Sequence, residues 1–154
     1  SNRGMKVRIY LDNCSYNRPY DDQSQMRIYL ETQAKLHIQD MIKKGNLELV
    51  TSYVLDYEND RNRSLQKKMA IERFIREYTS IYVSDRSKNE IEKCASEIMK
   101  TGIKEKDACH VACAVIAQCK YFITTDDRLL KYHSENIKLV TPGEFIRRME
   151  ADYE

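Results

Sequence analysis

Val7, Ile9 and Leu11 alternate with Arg8 and Tyr10 ahead of Asp12, the period-two pattern of a strand with two distinct faces. A loop is expected from Asn13 to about Asp22, where Pro19 breaks any early helix. Met26, Ile28, Leu30, Leu36, Ile38, Met41 and Ile42 then mark a long helix that stops near Gly45-Asn46. Leu47 to Ser52 gives a second strand, and the chain turns helical through Val54 to Glu58. An amphipathic helix follows from about Ser64 to Tyr78, with Leu65, Met69, Phe74 and Ile75 on its apolar side. Ile81 to Val83 forms a third strand, and Ser87 to Lys100 a helix ending at Thr101-Gly102. From Asp107 to Gln118 the sequence is apolar nearly all round, which places that helix in the interior. Tyr121 to Thr124 and Lys138 to Val140 complete the strands, with a short helix between them at Asp127 to Tyr132. Thr141-Pro-Gly-Glu-Phe has the form of a cap, a proline in the first turn and a closing helix.

Strands that alternate with helical patterns predict an α/β fold, three layers α/β/α around a central parallel sheet of about four to five strands. The 154 residues suit one domain, expected over residues 5–150, with residues 1–4 read as a vector-derived remnant or a disordered N-terminus. Two prolines and four glycines leave little room for low-complexity linkers. No apolar run approaches the roughly 20 residues that span a bilayer, so no membrane partner is expected. The five cysteines form an odd set without secretory context, which points to reduced thiols and a cytoplasmic location. Cys109-His110-x-x-Cys113 has no second ligand pair at zinc-finger spacing, and core packing is the favoured reading.

The chemistry lies in four acids. Asp12 and Asp126 close strands, Glu58 follows the second strand, and Asp107 opens the most apolar helix. In an open parallel sheet the carboxyl ends of the strands face the functional crevice. Carboxylates that converge there repel one another unless a hard cation such as Mg²⁺ or Mn²⁺ lies between them. Such a site performs hydrolytic phosphodiester chemistry. Three of the acids also have a plainer role: Asp107 and Asp126 as helix caps, and Glu58 as an exposed helix residue paired with Arg61 or Asn62; Asp12 is the hardest to dismiss, since Asp is disfavoured in strands. Other chemistries lack their motifs. There is no glycine-rich phosphate loop, and Cys14 stands where a second aspartate two places after Asp12 would mark a haloacid-dehalogenase-like phosphatase.

Val-Arg-Ile-Tyr-Leu-Asp12, Val50-Thr-Ser-Tyr-Val-Leu-Asp-Tyr-Glu58, Asp107-Ala-Cys-His-Val-Ala-Cys-Ala and Phe122-Ile-Thr-Thr-Asp126-Asp127 together resemble a PIN domain, the metal-dependent ribonuclease fold of VapC-type toxins. The resemblance runs from Met5 to about Phe145. It implies an endoribonuclease that cleaves single-stranded RNA with Mg²⁺ or Mn²⁺. Asp12, Asp107 and Asp126 would be principal ligands, and Glu58 a ligand or a water-orienting group. Ser52, Thr124, Thr125 and Asn13 would support these carboxylates, with Asp127 an additional candidate. The resemblance further implies a homodimer silenced by a cognate antitoxin. The Ser15 to Asp22 loop is longer and more polar than in short toxins, and Cys14 replaces the family's common small hydroxyl or Asn.

Net charge is only +2, but Arg61, Arg63, Lys67, Lys68, Arg73 and Arg76 follow Glu58 closely. Arg18, Arg61, Arg63 and Lys67 are candidate RNA contacts; the alternative is a solvated helical face. The competing functional reading is a non-catalytic module on the same fold that binds RNA or a protein. A small-molecule phosphohydrolase is a third.

Overall fold

The computed structural model describes residues 6–152; residues 1–4, expected to be a vector-derived remnant or a disordered N-terminus, lie outside them. Strands β1 (Val7–Leu11), β2 (Leu47–Ser52), β3 (Ile81–Val83), β4 (Tyr121–Ile123) and β5 (Lys138–Val140) form one sheet in the order β3-β2-β1-β4-β5. Every neighbouring pair is parallel. The helices are α1 (Asn13–Asn17), α2 (Met26–Lys43), α3 (Tyr53–Asp60), α4 (Leu65–Tyr78), α5 (Lys88–Met99), α6 (Glu105–Ile116), α7 (Asp127–Leu130) and α8 (Pro142–Asp152), with single 3₁₀ turns at Arg18–Tyr20 and Asp85–Ser87. The expected three-layer α/β/α architecture is present.

The alternation in β1 separates two cores. Ile9 and Leu11 enter one with Ile38, Leu49, Phe74 and Phe145, beneath α2, α4 and α8. Tyr10 enters the other with Val50, Ile91, Val111 and Phe122, beneath α5 and α6. A parallel sheet covered on both faces hides its strands from water, and Ile9, Tyr10, Leu49, Val50, Phe122 and Ile123 have no exposed surface.

Three local readings change. The segment after Asp12 is not a loop: α1 starts at once, and Pro19 sits in the following 3₁₀ turn. Asp12 caps α1 by accepting the Asn13 N–H, and proline is tolerated in a first turn. On α2 the sides differ from the expected apolar set. Met26, Leu30 and Leu36 are exposed, whereas Glu31, Thr32 and Lys35 are buried. Arg18 pairs with Glu31 at 2.9 Å, and the Lys35 ammonium donates to Gln39 Oε1 at 2.8 Å while lying over the Tyr16 and Phe74 rings. An ion pair thus compensates the buried Glu31, whereas Lys35 has a neutral hydrogen-bond partner. On α4, Ile71, Phe74 and Ile75 are buried, while Leu65 and Met69 face outward.

Beginning with β1, the chain builds outward to β2 and β3, then returns to the other side of β1 with β4 and β5. The order reverses between β1 and β4, and a crevice opens beyond the carboxyl ends of strands at such a switch point. Asp12 follows β1 immediately, and Asp126 lies three residues past the end of β4.

Candidate metal centre

Asp12 is 5% exposed, and three donors fix its carboxylate. The Asn13 N–H donates to Oδ1 at 2.8 Å, while the Thr124 hydroxyl and the Cys14 thiol donate to Oδ2 at 2.9 and 3.3 Å. Thr124 also accepts the Asp126 N–H at 3.1 Å, tying the ends of β1 and β4 together. Thr125 donates its N–H to Cys14 Sγ at 3.4 Å. One residue beyond Asp12, the Asn13 amide oxygen is buried with no hydrogen-bond partner, a neutral donor atom with free lone pairs.

Glu58 is not an exposed helix residue. Ser52 ends β2 and caps α3 by accepting the Leu55 N–H at 3.1 Å, and this start turns Glu58 inward. Its Oε2 pairs with Lys106 Nζ at 2.8 Å, and its Oε1 lies 3.0 Å from His110 Nε2. Burial raises the Glu58 pKa, but the hydrogen bonds of His110 and Lys106 and the Lys106 charge outweigh it and hold the group at about 2.

Helix α6 begins at Glu105, with Lys104 in the cap position, so Asp107 sits within the first turn and does not cap. The Asp107 carboxyl is raised above the usual carboxylate range, first by burial and then by the charges of Asp12 and Asp126, with a smaller push from Glu58. Four acids read separately from the sequence thus share one field. Asp126 does cap its helix: Oδ1 accepts the Arg128 and Leu129 N–H groups at 2.9 and 3.4 Å. Capping and ligation are compatible, since one carboxylate oxygen takes both bonds.

Asp127 faces away from the acids. Arg27 grips it in a fork, Nη2 to Oδ1 at 2.8 Å and Nη1 to Oδ2 at 3.0 Å, and also donates to the Thr125 carbonyl at 3.3 Å. That pair ties the start of α2 to the loop carrying Asp126. Arg18 is committed to Asp21 and Glu31, which leaves it little capacity for phosphate. Arg61 lies against Tyr57, 5.5 Å from the ring, and Lys67 lies 5.5 Å from the Tyr20 ring; Arg63 is exposed. Lys68 pairs with Asp60 at 2.6 Å.

His110 is the residue that sequence reasoning missed. Among the described residues, one oxygen of Asp12, one of Glu58 and one nitrogen of His110 lie within 4.8 Å of one another. His110 is fully buried, and it falls in a stretch so apolar that core packing is the natural reading. The signal was its spacing: three residues after Asp107, it shares that residue's face of the helix. Cys109 and Cys113 are free, and Cys113 is buried in the core as expected.

No protein-family model and no curated protein matches the chain. The assignment of chemistry therefore rests on geometry. Asp12, Glu58 and His110 offer two carboxylates and an imidazole to a common point, with Asp107 and Asp126 close enough to act on one another electrostatically. Hard oxygen donors with one borderline nitrogen form a donor set for a divalent cation.

Proposed function

We propose that this protein is a metal-dependent endoribonuclease acting on single-stranded RNA at the crevice between β1 and β4. The supporting observation is the meeting of Asp12, just past β1, with Glu58 of α3 and His110 of α6 at a topological switch point, with the charges of Asp12 and Asp126 acting on Asp107 beside them. The Asp107 carboxyl is raised by burial first and then by the charges of Asp12 and Asp126, and a cation would relieve that second, repulsive part. Within this reading Asp12, Asp107 and Asp126 are the principal ligands of Mg²⁺ or Mn²⁺, and Glu58 is held beside them by Lys106 and His110. A divalent cation bound there supplies Lewis acidity for phosphodiester hydrolysis. Thr124 and Asn13 fix the direction of the Asp12 oxygens, so the anionic pocket needs little rearrangement to accept charge. Lys106, mostly solvent-exposed at the mouth of the site, is placed to meet an incoming phosphate. The reading carries with it the toxin setting implied by the sequence resemblance: a homodimer and a cognate antitoxin.

The test is cleavage of an unstructured RNA by the purified chain, with Mn²⁺ or Mg²⁺ and after chelation, beside Asp12→Asn and Asp107→Asn. Cleavage that needs the metal and falls at least about 100-fold in both folded variants is expected. Equal cleavage by parent and variants would overturn the proposal. Salt-sensitive RNA binding that survives chelation, without cleavage, would favour the binding module.

A further inference from the structure

The His110 imidazole stands at the end of a buried chain of hydroxyls. The Leu55 N–H donates to Ser52 Oγ at 3.1 Å. Ser52 Oγ lies 2.7 Å from the Tyr10 hydroxyl, which lies 2.6 Å from His110 Nδ1. The far nitrogen, Nε2, points at Glu58 Oε1, 3.0 Å away. Ser52, Tyr10 and His110 are all fully buried. Burial alone calls for partners on both ring nitrogens; what sets His110 apart is that one of those partners is an acid of the cluster, with Asp12 within reach of the same point.

Resting on the metal site of the proposed nuclease, we infer that His110 is the residue that sets its metal preference, selecting Mn²⁺ over Mg²⁺, and that Tyr10 positions it. The reason is donor chemistry. Mg²⁺ demands oxygen donors and sheds its waters reluctantly, whereas imidazole nitrogen suits borderline transition ions. Ligating histidines almost always donate their other ring N–H to a fixed partner, and here that partner is already in place.

Hydroxyls suit this purpose because each both donates and accepts. Without metal, Ser52 donates to Tyr10, Tyr10 donates to Nδ1, and Nε2–H donates to Glu58. With Nε2 turned to a cation, the imidazole carries its one proton on Nδ1 and donates to Tyr10, and Tyr10 turns its own proton to Ser52. Ser52 Oγ then accepts from both Tyr10 and the Leu55 N–H, and its own hydrogen turns away from Tyr10. Each hydroxyl keeps its proton, and the rearrangement adds no charge to the interior.

The experiment is calorimetry with MnCl₂ and with MgCl₂ on the whole chain, His110→Asn and Tyr10→Phe, with thermal melting as the fold control. Pulsed electron paramagnetic resonance of bound Mn²⁺ accompanies it. The parent is expected to bind Mn²⁺ at least about tenfold more tightly than Mg²⁺ and to show ¹⁴N modulation from an imidazole. In His110→Asn the modulation disappears and Mn²⁺ affinity falls about 10- to 100-fold, while Mg²⁺ affinity changes less than about threefold. Tyr10→Phe keeps the nitrogen signal and loses about tenfold in Mn²⁺ affinity. The spectrum of the parent decides even where a variant fails to fold. Bound Mn²⁺ without ¹⁴N modulation, or an unchanged Mn²⁺ to Mg²⁺ ratio in folded His110→Asn, overturns the inference and leaves the nuclease reading standing. A parent that binds neither metal, alone or with RNA, overturns both.

Discussion

Asp107 and Glu58 show how one pocket moves two carboxyls in opposite directions. Both lose water, which favours the protonated acid. Glu58 recovers more than it loses, because Lys106 and His110 bond to its charged form. Asp107 instead faces Asp12 and Asp126, and its pKa rises. A folded-state pKa above the unfolded value makes stability fall as pH climbs through the interval between them, so at pH 7 the ionised group destabilises the metal-free fold. Asp107→Asn is therefore expected to raise the melting temperature of the metal-free protein at pH 7. The gain is no more than about 1 kcal/mol once solvent screening is counted, or up to roughly 2–4 °C for a domain of this size. Melting without metal and with saturating Mn²⁺ checks this: the variant should lead in the first condition and trail the parent in the second. A variant less stable than the parent in both would mean that the carboxyl has a structural role.

At the scale of elements, the strands and most helices were legible because binary patterning and buried runs report them directly. β3 and β5 appear over the expected residues, and Thr141 caps α8 by accepting the Glu144 N–H at 3.1 Å. Two things were not legible. Helix α2 carries apolar residues around its circumference, so only tertiary contacts decide that Glu31, paired with Arg18, and Lys35, lying over the Tyr16 and Phe74 rings, go inside. His110 was hidden because a polar residue in an apolar helix signals nothing until its partners across 100 and 52 residues are known. The first gap gives a prediction. Burial, with a small push from Lys43, lowers the Lys35 pKa to about 8. The unfolded chain then binds more protons between that value and the ordinary lysine range, so stability rises with pH across the window. Lys35→Met is expected to stabilise the protein by about 1–3 kcal/mol at pH 7 and to flatten that rise, as chemical denaturation at pH 7 and pH 10 would measure. For α7, Asp126 both caps and faces the acids. Asparagine caps about as well as aspartate, whereas alanine costs roughly 1 kcal/mol. Asp126→Asn should therefore melt near the parent but bind Mn²⁺ at least about tenfold more weakly, while Asp126→Ala loses both. Metal affinity unchanged in Asp126→Asn would leave the residue as a cap alone.

For the whole molecule, the reversal of strand order between β1 and β4 places like charges from distant parts of the chain at one edge of the sheet. On the proposed reading a cation would offset that repulsion, and the site and the fold would then be thermodynamically linked. An ion that binds only the folded state stabilises it by RT ln(1 + [L]/Kd), about 2.7 kcal/mol at 100 times Kd. For a chain of this length that corresponds to roughly 5–10 °C in melting temperature. Mn²⁺ titrated into the parent at pH 7 should produce a rise that grows with the logarithm of concentration, and Asp12→Asn should show little of it. Acidification gives a second check with a defined sign. Glu58 has a folded-state pKa of about 2, below its unfolded value near 4.5. Its contribution is thus present above pH 4.5 and is lost as pH falls toward 2. The Mn²⁺-dependent increment should disappear at higher pH than this, because the raised Asp107 takes up its proton first and removes a ligand charge. An increment that persisted unchanged in Asp12→Asn, or that ignored pH down to 3, would place the ion elsewhere on the surface and detach the metal from the acid cluster.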